Sequence, residues 1–179
     1  MHFSTPSPRT WPLWALILSA AMLAGAHAFE HIGRLLPCPL CLRQREVYWA
    51  AITVAAIGYG LIRFWPSDRL KITVNMMLCL VFLTGAVIAG YHTGVEWSWW
   101  DGPQSCSGPS TPTMSENFTG LNLDRKFATV SCDKPAWTMF GISMAGYNTL
   151  ISVGLAAISG QFALRALSSA PLPDEAEAI

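Results

Sequence analysis

The sequence predicts an all-α membrane protein: a four-transmembrane-helix bundle with two loops on one face. Three observations carry this. Of 179 residues, 52% are hydrophobic and only 12% are charged, about half the charged share of an ordinary soluble domain. Four uncharged runs, 12–29, 47–62, 72–95 and 135–164, hold 88 positions. Three of them reach the roughly 17–25 residues needed to cross a bilayer. The runs are continuously apolar and rich in Ala, Leu and Gly, whereas a membrane barrel would alternate in polarity along short segments. Net charge is zero, with eleven Lys/Arg against eleven Asp/Glu, so no nucleic-acid partner is indicated.

The elements follow in order. The first helix is expected at about 12–30. Ala24-Gly25-Ala26 and Ala26-His27-Ala28 match the small-x-small pattern of a cleavage site, but such patterns are common in an Ala-rich helix, so the helix is expected to be retained. The second, at about 46–63, is the shortest. Arg45 and Arg63 can extend their charges to the two interfaces, where Trp49 and Trp65 fit an aromatic belt. A compact turn with Pro66 and Asp68 leads to a third helix at about 72–93. The fourth is expected at about 135–162. Gly58, Gly60, Gly85, Gly90, Gly141, Gly146 and Gly154 suit close helix contacts. Residues 1–165 form one domain, and 166–179 an acidic tail. The loops are 31–45 and 94–134. In the longer one, 118–128 is expected to form a short amphipathic surface helix, and Asn117-Phe118-Thr119 matches a glycosylation acceptor that has no meaning in a bacterium.

Four spans place both termini on one side. Lys/Arg counts do not choose that side: Arg9, Arg63, Arg69, Lys71 and Arg165 face Arg34, Arg43, Arg45, Arg125, Lys126 and Lys134. Cysteine chemistry does. Cys38, Cys41, Cys106 and Cys132 fall on one face, and disulfides persist on the oxidising side of a membrane. The loops are therefore expected in the periplasm and the termini in the cytoplasm.

Three roles compete for these cysteines. A zinc site with four thiolates normally uses two short knuckles, and the 26-residue spacing of Cys106 and Cys132 supplies only one, so no metal is expected. Structural disulfides explain the long pair better than the short one, since a C-x-x-C ring gains little from loop closure. A C-x-x-C at a helix start is the usual arrangement of a reactive dithiol. Pro39 restricts the ring, and a helix N-terminus favours the Cys41 thiolate. Arg45, one turn along the same face, could stabilise that thiolate or an anionic electron acceptor; it could also simply anchor the helix. His92, at the outer end of the third helix, could bond an acceptor's oxygen or pass a proton. His27 and His31 compete for that role, and Trp137 reads as a belt residue. Cys79, mid-membrane and unpaired, reads as a small apolar filler. A membrane dithiol that must lose two electrons and two protons points to a lipid-soluble acceptor such as a quinone.

Cys38-Pro39-Leu40-Cys41 before the second helix, Arg45 four residues on, His92 closing the third, Cys106 and Cys132 in the second loop and Trp137 beyond them together resemble the disulfide bond formation protein B (DsbB) family. These are four-helix oxidoreductases of the bacterial inner membrane. The resemblance covers about residues 12–160. It implies a monomer that reoxidises a periplasmic DsbA-type thioredoxin-fold oxidase and passes electrons to ubiquinone or menaquinone. It implies that Cys106 forms the mixed disulfide with that partner, that Cys132 then pairs with Cys38, and that Cys41 is left as a thiolate in charge-transfer contact with the quinone. Arg45 and His92 would bind the quinone. Gln44 departs from the pattern, since family members often carry an acid there, and the Ser/Thr/Pro-rich second loop leaves partner choice open. A specialised paralogue serving one dedicated partner is the nearest alternative. A vitamin K epoxide reductase-like enzyme is disfavoured, because its C-x-x-C lies in the last helix. A non-catalytic scaffold with two structural disulfides is the alternative from another class.

Overall fold

The computed structural model describes residues 5–103, 106, 128–129 and 131–169. Four long helices dominate: α1 (Trp11–His31), α2 (Pro39–Phe64), α3 (Asp68–Glu96) and α4 (Met144–Ser168). All four are long and apolar enough to cross a membrane. Short strands sit at one end of the bundle: β1 (Leu35–Leu36), β2 (Ala128–Thr129), β3 (Thr138–Met139) and β4 (Ile142–Ser143).

Local chemistry sets the helix starts. Pro12 occupies the first turn of α1, where its missing N–H costs nothing. Cys38 caps α2: its sulfur accepts the Cys41 N–H at 3.1 Å, and Pro39 follows it. Ser67 precedes α3, whose first turn carries Asp68, a favourable placement against the helix dipole. The Ser143 hydroxyl accepts the Gly146 N–H at 3.1 Å and caps α4.

The buried core includes Ala51, Ala55, Ile62, Leu78, Phe82 and Leu155. At one end the Trp11 indole donates to Ser159 Oγ at 2.9 Å, and its ring lies 5.3 Å from that of Phe162. Large apolar side chains such as Ile57, Leu80, Val87, Leu150 and Leu164 point outward. In water this would be a large exposed patch; here it faces lipid. Close approach needs glycine at Gly58, where a Cβ would overlap Val74, and is tight at Gly85, where a Cβ would stand 3.0 Å from Val47. Gly60 and Gly154 have open space beside them, so glycine content alone did not mark contacts.

Three of the helices depart from their expected bounds. The second helix begins at Pro39 rather than 46, because the Cys38 cap and Pro39 initiate it inside the expected loop. The third runs from Asp68 to Glu96, extending past 72–93 at both ends: Asp68, Arg69 and Lys71 had kept its first turn out of the uncharged run. The fourth begins at Met144, not 135. Residues 138–143 instead form a β3–β4 hairpin, with Thr138 opposite Ser143 and Met139 opposite Ile142. Its turn residues Phe140 and Gly141 have φ of 52° and 79°, the sign pattern of a two-residue primed turn. A lack of charge therefore did not distinguish hairpin from helix. The helix also extends to Ser168, into the tail expected from 166, and residues 170–179 lie outside the described residues. Of the surface helix expected at 118–128, only Ala128 is described, and it belongs to β2.

Candidate functional site

The site forms where the loops meet the N-terminal end of α2 and the C-terminal end of α3. A parallel ladder pairs Leu35 with Ala128 and Leu36 with Thr129. It draws the second loop against the first, two residues before Cys38 and three before Cys132. Cys38 is disulfide-bonded to Cys41 with Cα atoms 5.0 Å apart. Cys106 is bonded to Cys132 with Cα atoms 5.3 Å apart. Cys38 and Cys132 are buried with Val95, and Leu40, Cys41 and Cys106 pack around them. The Cys38 sulfur, the Cys132 sulfur and a ring nitrogen of His92 all lie within 4.8 Å of one another. The two disulfides are thus neighbours, and each contributes one sulfur to a shared buried contact.

His92 lies one helical turn inside the end of α3, rather than closing it. Its Nε2 is 3.8 Å from Cys38 Sγ and 3.9 Å from Glu96 Oε1. Its Nδ1 meets the Gln44 side-chain nitrogen at 2.8 Å. Gln44 Oε1 accepts from Asn148 Nδ2 at 2.5 Å. Asn148 Oδ1 in turn accepts from the Tyr48 hydroxyl and, at 3.5 Å, from Ser152. The Ser143 hydroxyl donates to Glu96 Oε2, fixing that carboxyl. A buried polar chain therefore runs from the sulfur cluster into the bundle.

Arg45 lies one turn beyond Cys41, but its charge is already engaged. Nη1 donates to Glu30 and Nη2 to the Ala26 carbonyl at 3.2 Å. Arg45 therefore bridges α2 to α1, leaving part of its five-donor fork for another acceptor. A cavity of about 220 Å³ opens beside it. Met22, Phe29 and Met144 supply apolar wall; Cys41, Arg45 and His92 supply polar and reactive groups. This combination, mostly apolar with a few convergent polar groups, suits a flat apolar molecule carrying polar oxygens.

The remaining candidates lie elsewhere. His27 and His31 stack with ring centroids 5.9 Å apart near the end of α1, and His27 is 3.7 Å from Glu30. Trp137 immediately precedes β3, its ring 5.8 Å from Phe29 and 6.3 Å from Tyr147. Cys79 is a free thiol on α3; a Cβ on Gly160 of α4 would stand 3.4 Å from its sulfur. Asp133 follows Cys132, and a hydrogen bond from Ser131 holds its carboxyl below its usual pKa. A fixed negative charge therefore adjoins the loop disulfide.

Sequence reasoning omitted Glu30, Glu96, Tyr48 and Asn148, and treated Gln44 only as a departure from a pattern. A signal existed. Cys41, Gln44 and Tyr48 follow a three- and four-residue spacing along one helix face. Asn148 lies within an otherwise apolar span, where an amide needs a partner.

The four-cysteine arrangement on a four-helix membrane bundle narrows the comparison with known proteins. Residues 8–162 match the family model described as "Disulfide bond formation protein DsbB". The chain belongs to the DsbB family. It is 32% identical over 156 residues to "Disulfide bond formation protein B" of Methylococcus capsulatus, covering 86% of this chain and 93% of that one. It is 29% identical to the protein of the same description from Stutzerimonas stutzeri, over 85% and 92% of the two chains. A Polaromonas relative, also so described, is 29% identical over 77% and 80%. No solved structure matches the chain. As a DsbB-family protein it is a redox-active membrane enzyme with quinone-linked thiol chemistry, which sets the non-catalytic scaffold aside.

Proposed function

We propose that this DsbB-family protein oxidises a periplasmic DsbA-type thioredoxin-fold dithiol and delivers the two electrons to a membrane quinone, ubiquinone or menaquinone. The loops then face the periplasm, and both termini the cytoplasm. The observation that carries the reading is the buried approach of Cys38 and Cys132 within 4.8 Å, with Cys41 on the wall of the adjacent cavity.

The chemistry is a sequence of thiolate attacks on disulfide sulfurs. A partner thiolate attacks Cys106; the Cys106–Cys132 bond breaks, and Cys132 leaves as a thiolate. Cys132 attacks Cys38; a Cys132–Cys38 bond forms, and Cys41 leaves as a thiolate at the cavity. The partner's second thiolate resolves its mixed disulfide and frees Cys106. Cys106 then attacks Cys132, restoring the loop pair and releasing Cys38. The partner has lost two electrons and two protons, now held by Cys38 and Cys41. A quinone in the cavity supplies the two-electron acceptor that restores the Cys38–Cys41 bond. Arg45 offers a fixed cationic donor to the acceptor's oxygen. His92 offers a ring N–H at the sulfurs, and the apolar walls exclude water.

The test is quinone reduction by the purified protein in lipid nanodiscs, followed by absorbance, with a reduced DsbA-type protein as donor. One quinone should be consumed per partner disulfide formed. Partner oxidation that proceeds unchanged without quinone under anaerobic conditions, over many turnovers, would contradict the proposal.

A further inference from the structure

The buried polar chain has a direction, and that direction matches where His92 keeps its proton. At its inner end two hydroxyls converge on Asn148 Oδ1: that of Tyr48 and that of Ser152 at 3.5 Å. The Asn148 amide nitrogen points the other way, to Gln44 Oε1 at 2.5 Å. With its oxygen occupied, Gln44 presents its amide nitrogen to His92 Nδ1 at 2.8 Å. An amide N–H can only donate, so Nδ1 must accept and carries no proton. At the outer end, Nε2 faces Cys38 Sγ at 3.8 Å and Glu96 Oε1 at 3.9 Å, and the ring also hydrogen-bonds the backbone of Cys132. A disulfide sulfur, a thiolate and a backbone carbonyl all accept. The hydroxyls at the inner end can accept as well as donate, so it is the acceptors around Nε2 that give the chain its direction.

We infer that Gln44, held by Asn148, acts as a positioning residue that keeps His92 in its Nε2–H tautomer, with that N–H on the side of the Cys38 sulfur and the Cys132 backbone. The partner of one ring nitrogen sets the role of the other, and here the setting comes through two amides from different helices. The consequence rests on the proposed exchange: the N–H opposes build-up of unbalanced negative charge where Cys132 attacks and where Cys38 later leaves. Cys38 Sγ then has two donors, His92 Nε2 and the Cys41 backbone N–H at 3.1 Å. In the opposite tautomer a ring lone pair would face the sulfur and repel a thiolate.

The experiment is nitrogen-15 NMR of full-length, histidine-labelled protein in nanodiscs. The chain has four histidines, and a His92→Gln variant identifies the His92 signals. The wild type should show one neutral His92 species with a protonated Nε2 and a bare Nδ1. The near-isosteric variants Gln44→Met and Asn148→Leu should each release the lock, so that the Nδ1–H form becomes readily detectable. In the same variants, rapid-quench formation of the Cys38–Cys132 bond should slow about tenfold, the equivalent of one hydrogen bond to a charged sulfur. A wild-type proton on Nδ1 overturns the inference, and so does an unchanged tautomer in both variants. The wild-type spectrum alone distinguishes the two tautomers, even if a variant fails to fold. It also needs neither electron donor nor acceptor. A wrong tautomer in a working enzyme removes this inference alone; the Nε2–H form in an enzyme that reduces no quinone removes the proposed reaction alone.

Discussion

Cys38 and Cys41 occupy different positions in the same helix turn, and the proposed exchange gives them different parts. Cys38 is the cap, buried and bonded by a backbone N–H, beside Cys132. Cys41 lines the cavity. Replacing Cys41 by serine should abolish quinone reduction while Cys106 still traps the partner as a mixed disulfide, visible on a non-reducing gel; equal loss of both would contradict the division of labour. The spacing of Arg45 from Cys41 was legible in the sequence, but its tether to Glu30 was not, because that contact joins residues fifteen apart on different helices. Two variants separate its roles. Arg45→Ala should raise the quinone KM about tenfold or more, the cost of a lost charge-assisted hydrogen bond, with partner KM unchanged. Glu30→Gln should raise it less, since the guanidinium remains but loses its anchor. Steady-state kinetics in quinone and in partner check both; a quinone KM unchanged in Arg45→Ala would remove the residue from acceptor binding.

At the scale of elements, apolarity identified all four helices, and local chemistry set where they begin. The α2 start and the Ser143 cap could have been read from the sequence, as Pro39 at a first helical position and as Ser143 two residues after Gly141. Counting uncharged residues hid both. Pairing between elements was less accessible. The β1–β2 ladder joins Leu35 to Ala128, and no short-range pattern specifies a partner so distant. Similarly, Gly58 and Gly60 look alike in sequence, yet only Gly58 lies against Val74. Gly58→Leu should therefore destabilise the α2–α3 contact by about 1–3 kcal/mol, the usual cost of overpacking. Gly60→Leu, with open space beside it, should be nearly neutral. Thermal unfolding of both variants in the same detergent checks the contrast, and equal losses would refute this account of the contact.

For the whole molecule, composition and cysteine placement were enough to indicate a membrane redox protein. The charge count left its orientation open. That placement has a direct check in intact cells: single cysteines at exposed loop positions such as Trp99 and Lys134 should react with a membrane-impermeant maleimide, and one at Phe64 should not. The reverse labelling pattern would put the sulfur cluster in the cytoplasm and remove its oxidising surroundings. What sequence could not supply was the distance between the two cysteine pairs, which depends on the ladder and on how α3 packs beside α2. Everything proposed for electron flow depends on that distance. Its most direct measurement is rapid acid quenching of the protein during a single turnover with reduced partner, followed by mass spectrometry of the disulfide-linked peptides. A transient Cys38–Cys132 peptide should rise and fall before quinone reduction is complete. If only the Cys38–Cys41 and Cys106–Cys132 links are found at every time point while quinone is consumed, electrons do not cross between the pairs by exchange, and the route described here is wrong.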